Sequence, residues 1–476
     1  MLPPVPSPAV YGVSSDHGFL SPEPPLEVLP DPYYAKWEAI IENLQALLLS
    51  KRLRSMVDRL PVLSTTHLHT DAEWRRAYVV LVFMLHGYVW GGDRPVERIP
   101  PQLTVPLFGV CERLEVPPVA TYAGVCLWNY KPIFPNEPAD DLDNLACLQT
   151  FTGSLDEQWF YLVSVAIEAR GGPSIPLVLQ AITAARAGDN YTVTECLQQL
   201  AEILDEINAL LQRMYENCDP YVFYHRIRPY LAGSKNMADA GLPKGLLYDD
   251  GRGDPEYRQY GGGSNAQSSL IQFFDIALGV EHRPTGVTRN QGSPPDANPK
   301  SRHSFIHEMR AYMPGPHRRF LEHVDSVANI RAFVQARQND AALRLAYDAC
   351  LAMLRALRDK HIQIVSRYII VQSRARRGSQ SQASVPTNLA TAAPPDSKKL
   401  RGTGGTALIP FLKQARDETG EPAIDAWAQR LLSNGPAEAH SAALSKVGEQ
   451  PDGHLEIVGL CGTWTADDSE GGICHW

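Results

Sequence analysis

At 476 residues, 44% of them apolar and 20% charged, the chain has the make-up of an ordinary globular protein with room for two or three core-bearing units. A formal net charge of −9 disfavours polyanionic partners, so nucleic acid is not an expected target. The eight cysteines include no CxxC pair and read as reduced thiols. The N-terminus lacks a basic start followed by an apolar core, and the longest strongly apolar run, from Tyr78, is too short to span a bilayer. The expectation is a cytoplasmic protein with no membrane partner.

In chain order, residues 1–30 are rich in Pro and Ser and read as an extended arm rather than a domain. From Ala35 onward "AKWEAIIENLQALLLSKRLRSMVDRL", "AEWRRAYVVLVFMLHGYVW", "QWFYLVSVAIEAR" and "TECLQQLAEILDEINALLQRMYENC" place apolar residues at three-to-four spacing and predict helices. "SNAQSSLIQFFDIALGV", "SRHSFIHEMRAYM" and the run from Asp340 to Val371 add three more. No segment alternates strictly as a half-buried strand would, so the expected class is all-α. Loops are expected at 128–140, 229–265 and 283–300, and a disordered one from Arg374 to about residue 400. Its "RARR" reads as a solvated charge run rather than a nuclear signal. Past residue 420 the pattern weakens into a tail.

His361 interrupts the apolar stripe of the last long helix, with Leu354 and Leu357 on one side and Ile364 and Val365 on the other. An inward imidazole needs a partner, because an unsatisfied buried donor or acceptor costs about 1–3 kcal/mol. Two readings stand: a core histidine bonded to a backbone carbonyl, or an axial ligand to haem iron. His303 and His307 lie one helical turn apart, but Ser304 stands where a zincin needs its glutamate. His67 and His69 have no third ligand nearby. The glycine-rich "YGGGSNAQSS" and "RGTGGT" lack the order of a phosphate loop and suit a turn, a hinge or a close backbone approach. In "DPYVFYHRIRPYLAG", Arg228 falls four or five positions after Phe223 and Tyr224. It presents either a fork for a carboxylate beside flat apolar walls or an arginine stacked on a tyrosine.

Eight ordered strings, among them "RLEVPPVATYAGVCLWNY", "FYLVSVAIE", "FYHRIRPYLAG", "GGGSNAQSSLIQFFDIALG", "YDACLAMLRALRDKHIQIVSRYI" and "GTGGTALIPFLKQAR", resemble the indoleamine 2,3-dioxygenases over roughly residues 30–420. The resemblance implies a two-domain helical fold: a small N-terminal domain (31–150), a larger haem domain (151–420) and a C-terminal tail (421–476). It implies haem b, ferrous when active, with His361 as proximal ligand and Arg358 and Asp275 as a pair behind it. Gly263, Ser264 and Asn265 would flank the haem edge. The distal pocket would comprise Tyr122, Val125, Cys126, Phe160, Ser164, Phe223 and Tyr224. Arg228 would clamp the substrate carboxylate, and Thr403 would sit on a loop that closes over the substrate.

The implied reaction inserts both atoms of O2 across the indole C2–C3 bond of L-tryptophan, giving N-formylkynurenine, in a monomer served by an unidentified reductant. Catalytic weight would fall on Arg228, Phe223 and Ser164, with no distal histidine, since His225 points away from Phe223 and Tyr224. Two positions depart from the family pattern: Tyr224, where a second phenylalanine is frequent, and Asn265, where a small residue is common. An alternative is a haem protein of the same fold that senses a gas or an indole. A further one is a helical scaffold without a cofactor.

Overall fold

The computed structural model describes residues 3–286 apart from 136, 139 and 254, residues 305–373 and 408–433, and the backbone of 447–449, 455–459 and 462–466. The chain is helical, as its periodicity predicts. The helices include α1 (Ala35–Glu42), α2 (Asp71–Trp90), α3 (Leu155–Gly171), α4 (Ser174–Ala187), α5 (Asn190–Gln212), α6 (Ser269–Leu278), α7 (Gly315–Val327), α8 (Ala341–Val365) and α9 (Leu408–Gly420), and a further 14-residue helix, Pro101–Leu114, lies between α2 and α3.

Several start where a side chain can accept a free N–H of the first turn. Thr70 and Glu73 form a reciprocal capping box on α2. Ser154, Asp189 and Asp340 cap α3, α5 and α8. The single helix expected over residues 35–60 is instead three short ones, α1 followed by Leu44–Leu49 and Leu53–Val57. The first break falls at Asn43, and Lys51 sits at a left-handed φ of 56° between the second and third.

Strands are minor. Arg98–Ile99 runs parallel to Leu246–Tyr248, which pairs antiparallel with Glu256–Arg258, and Tyr130–Pro132 pairs with Leu145–Cys147. In the tail, Val447–Glu449, Leu455–Gly459 and Gly462–Ala466 form an antiparallel ladder that the sequence reading did not foresee.

The main core runs from Val13 to Leu432 without a break at residue 150. α8 and α5 form its spine. Asn208 Nδ2 donates to the Met353 carbonyl at 2.9 Å, and Cys350 Sγ to that of Leu197 at 3.0 Å. The arm holds a short 3-10 turn, Pro8–Tyr11, and a bridge between Ser14 and Gly18, and it is packed: Phe19 is buried, its ring 5.0 Å from His317 and 5.9 Å from Phe320. Gly18, at φ +59°, and Gly172 permit this seating, since a Cβ on Gly18 would meet the Gly172 Cα at 2.8 Å. The start of the tail is packed too, for Asp348 accepts the backbone N–H groups of Ile424 and Asp425. Among the described residues one helical stretch, Leu155–Ala187, is long and apolar enough to cross a membrane, but 72% of its most apolar part is buried inside the protein.

Candidate functional site

α8 carries His361 to the wall of a cavity of about 250 Å³. Its apolar stripe, from Leu343 to Leu357 and again at Ile364 and Val365, is buried as the spacing predicts. The imidazole is enclosed by protein, yet part of its surface stays accessible where it borders the cavity. Burial, reinforced by the positive charge of Arg358, pulls its pKa down to about 4, so at neutral pH it is uncharged and keeps a lone pair. It makes no hydrogen bond to any described residue, so the carbonyl-bonded core histidine is not what the structure contains.

One turn before it, Arg358 Nη2 lies 2.7 Å from both carboxylate oxygens of Asp275 on α6. Burial opposes the Asp275 charge, but Arg358 and His282 outweigh it and lower its pKa. The same arginine reaches Thr419 on α9, and His282 and Glu418 complete a buried cluster there.

Part of the remaining wall is built on widened helical turns. Three π-helical turns, Ala123–Leu127, Phe223–Ile227 and Ser366–Val371, each contribute cavity residues. In the second, the Arg228 N–H bonds to the Phe223 carbonyl five positions back, which brings those two residues onto one face. Both line the cavity. Tyr224, only four positions before Arg228, does not: it lies outside the wall, with the guanidinium 5.5 Å from its ring centroid. His225 also lies outside, against Tyr221 and Tyr224. Arg228 itself is buried, which lowers its pKa from the ordinary arginine value against the opposing influence of Tyr224.

The cavity thus gathers Tyr122, Val125, Cys126, Phe160, Ser164, Phe223, Arg228, Gly263, Ser264, Asn265, Asp275, Arg358 and His361. Phe160 and Phe223 pack at 4.7 Å between ring centroids. Thr403, His303 and the expected disordered loop at 374–400 lie outside the described residues. Within the glycine run, the position that demands glycine is Gly262, where a Cβ would fall 2.0 Å from the Leu231 carbonyl oxygen; at Gly263 the nearest atom is 3.4 Å away.

Several supporting residues were missed. His86 on α2 accepts the Ala120 N–H at 2.9 Å, so its other nitrogen donates to the Tyr230 carbonyl at 2.6 Å, tying both segments beside the cavity to one helix. Glu168, fully buried, accepts from Tyr122 Oη at 3.0 Å and Ser268 Oγ at 2.6 Å, while burial outweighs these donors and raises its pKa to about 7. Its signal was present: a carboxylate one turn after Ser164 in an otherwise apolar run. Phe305 and Phe411, edge to face at 4.9 Å, close another side.

A helical fold thus surrounds an apolar cavity with a neutral histidine and a buried arginine on its wall. The family model described as indoleamine 2,3-dioxygenase matches residues 7–422. An indoleamine 2,3-dioxygenase of Penicillium citrinum is 43% identical over 86% of this chain and 87% of its own length. One of Saccharomyces cerevisiae is 41% identical over 87% and 93%. A 6-hydroxytryptophan 2,3-dioxygenase of Fusarium equiseti is 38% identical over 86% and 96%. The protein is therefore an oxidoreductase of the dioxygenase class. It belongs to the indoleamine 2,3-dioxygenase family. The match begins at residue 7 rather than near 30, so most of the Pro-rich arm belongs to the family fold, in keeping with its packed apolar side chains.

Proposed function

We propose that the chain binds haem b and L-tryptophan and inserts both atoms of O2 across the indole C2–C3 bond, giving N-formylkynurenine. The observation that carries this reading is the neutral His361 imidazole, without a hydrogen bond to any described residue, on the wall of the cavity that also holds Arg228, Phe160 and Phe223. The donor chemistry fits the cofactor: an uncharged ring nitrogen suits iron, and the apolar surroundings, among them Leu357, Ile364, Val365 and Ile271, suit a porphyrin face. Ferrous haem, when bound, supplies the binding and activation of O2.

The protein's own share is position and dryness. His361 holds the iron, and Asp275 holds Arg358 on the turn before it. Arg228 takes the substrate carboxylate with a charge-assisted fork, and Phe160 and Phe223 give the indole a flat apolar seat. Tyr122 and Ser268 are held by Glu168, and Ser164, Val125 and Cys126 fill the wall between them. Gly263, Ser264 and Asn265 border the cofactor edge. In this reading residues 31–150 supply Tyr122, Val125 and Cys126 as the small domain, and residues 151–420 are the haem domain. The enzyme works as a cytoplasmic monomer in tryptophan catabolism through the kynurenine pathway, kept ferrous by an external reductant.

Asn265 and Tyr224, the two departures, bear on substrate range, and one relative is named for a hydroxylated tryptophan. The test is a visible spectrum of the purified protein, oxidised and reduced, followed by turnover of L-tryptophan under isotope-labelled dioxygen. The expected outcome is a Soret band and both labels in one N-formylkynurenine product. A Soret band without product would leave a haem sensor, and a colourless protein would remove the cofactor.

A further inference from the structure

His282, four residues past the end of α6, enters a buried ion cluster that the resemblance does not account for. Its Nδ1 lies 2.8 Å from Glu418 Oε2, and its Nε2 lies 3.1 Å from Asp275 Oδ2. The three side chains keep only 4%, 4% and 5% of their exposure. A neutral imidazole has one N–H and one lone pair, so it would set that lone pair against a carboxylate oxygen on one side or the other. Only the imidazolium donates to both, for the Arg358 Nη2 that also faces Nε2 stands at 3.5 Å, the outer limit of a hydrogen bond, while the Asp275 oxygen is closer.

Charge counting agrees. Asp275 and Glu418 bring two negative charges, and Arg358 and a protonated His282 bring two positive ones. Arg283 and Glu421 pair beside them, with Arg283 Nε 3.7 Å from Glu418 Oε1, while Gln414 Nε2 donates to that same oxygen at 2.8 Å. Removing the His282 proton would strand a carboxylate in a region almost closed to water, which is costly.

The cluster joins elements that meet the cavity from different directions. Glu418 and Thr419 sit on α9, whose Leu408, Phe411, Leu412 and Ala415 form part of the cavity wall. Asp275 passes the connection to Arg358, one turn from His361. We propose that His282, as imidazolium, is a positioning residue that clamps α9 to the helix bearing His361, so that the cavity holds its cofactor while the clamp is charged and releases it faster once the proton is lost. The inference rests on the reading of the cavity as a haem site. Burial disfavours the His282 charge, but Asp275 and Glu418 outweigh it against the opposing Arg358 and raise the imidazole's pKa above its ordinary value. The clamp is therefore complete below that ordinary value and is lost as pH rises through the raised one.

The test uses the full chain as purified, its His282→Gln variant, and the double variant His282→Gln with Glu418→Gln. Glutamine can donate from only one end, and the double variant restores the charge balance. Haem transfer to excess apomyoglobin is followed from mildly acidic to mildly alkaline pH. The wild type should lose haem faster as pH rises. His282→Gln should lose it on the order of tenfold faster at the acidic end, with a flat profile, and the double variant should recover much of the retention. Hydrogen exchange of the α9 amides, corrected for intrinsic rates, gives a second readout that needs no haem, and it should quicken in His282→Gln. A protein that takes up no haem would defeat the proposed function while leaving this exchange test intact. Wild-type haem loss and wild-type α9 exchange in His282→Gln would overturn the clamp.

Discussion

The two walls of the cavity are built by different means. The wall that carries His361 is a regular 25-residue α-helix, and the charges behind it are tied to one another: Arg358 to Asp275 and Thr419, His282 to Asp275 and Glu418. The wall that carries Phe223 and Arg228 includes two π-helical turns, Ala123–Leu127 and Phe223–Ile227. An α-helix presents one side chain at a fixed height, and a buried salt-bridge layer resists its displacement because breaking one partner strands the other. A π turn moves the residue five positions on into register, so that an aromatic ring and a cation share one face. One wall is suited to holding a single atom still, the other to surrounding an extended molecule.

If that division holds, damage to the first wall should remove the cofactor and damage to the second should spare it. The largest effect is expected for His361→Ala, which should abolish the Soret band per mole of protein while leaving the far-ultraviolet circular dichroism helical, since His361 makes no hydrogen bond to any described residue. A wild-type Soret intensity would end the comparison. Next is Arg228→Ala, which should keep haem and lower kcat/KM on the order of a hundredfold, chiefly through KM. Arg228→Lys should recover only part of this, because an ammonium lacks the planar fork. Steady-state kinetics with L-tryptophan and with decarboxylated tryptamine would check it, for the variant's loss should vanish on the substrate without a carboxylate.

The two walls were also unequally readable in the sequence. The stripe around His361 follows ordinary α spacing, so its direction and burial could be read from Leu354, Leu357, Ile364 and Val365 alone. Arg358 and Asp275 came from the family resemblance and sit together as it implied. The π turns could not be read that way, because a five-residue register leaves no trace in a pattern scored at 3.6. Tyr224 was accordingly grouped with Phe223, yet it lies behind Arg228. His282 and Glu418 are 136 positions apart, and no local pattern pairs them. The packing of the arm left little trace in its Pro- and Ser-rich composition, although Val13, Phe19 and Leu20 are buried. Glu168 was legible as an oddity in an apolar run, but its tie to Ser268 depends on a contact one hundred positions away.

Glu168 offers a smaller test, since it stands between the walls through Tyr122 and Ser268. Burial raises its pKa from the ordinary 4.5 to about 7, against the two hydroxyl donors. The folded state therefore favours the protonated acid. Its contribution to stability is complete below the ordinary value and is lost as pH rises through about 7. Glu168→Gln, uncharged throughout, should lack that slope. The Tm of the variant minus that of the wild type should climb by a few degrees between pH 5 and pH 8 on the order expected for a buried carboxyl. A constant difference across that range would show that Glu168 does not titrate there.

The smallest expected effect separates two adjacent residues. Phe223 lines the cavity, with its ring 4.7 Å from Phe160 and 5.7 Å from Tyr368, so Phe223→Ala opens the seat proposed for the indole. It should raise KM by roughly tenfold, the order of one lost aromatic contact. Tyr224→Phe keeps the ring under the guanidinium, and a phenyl face attracts a cation nearly as well as a phenol. Its hydroxyl is outside the cavity wall, so KM should change by less than about twofold. Should Tyr224→Phe instead rival Phe223→Ala, the five-residue register would not be the one that meets the substrate, and the second wall would have to be redrawn on ordinary α spacing.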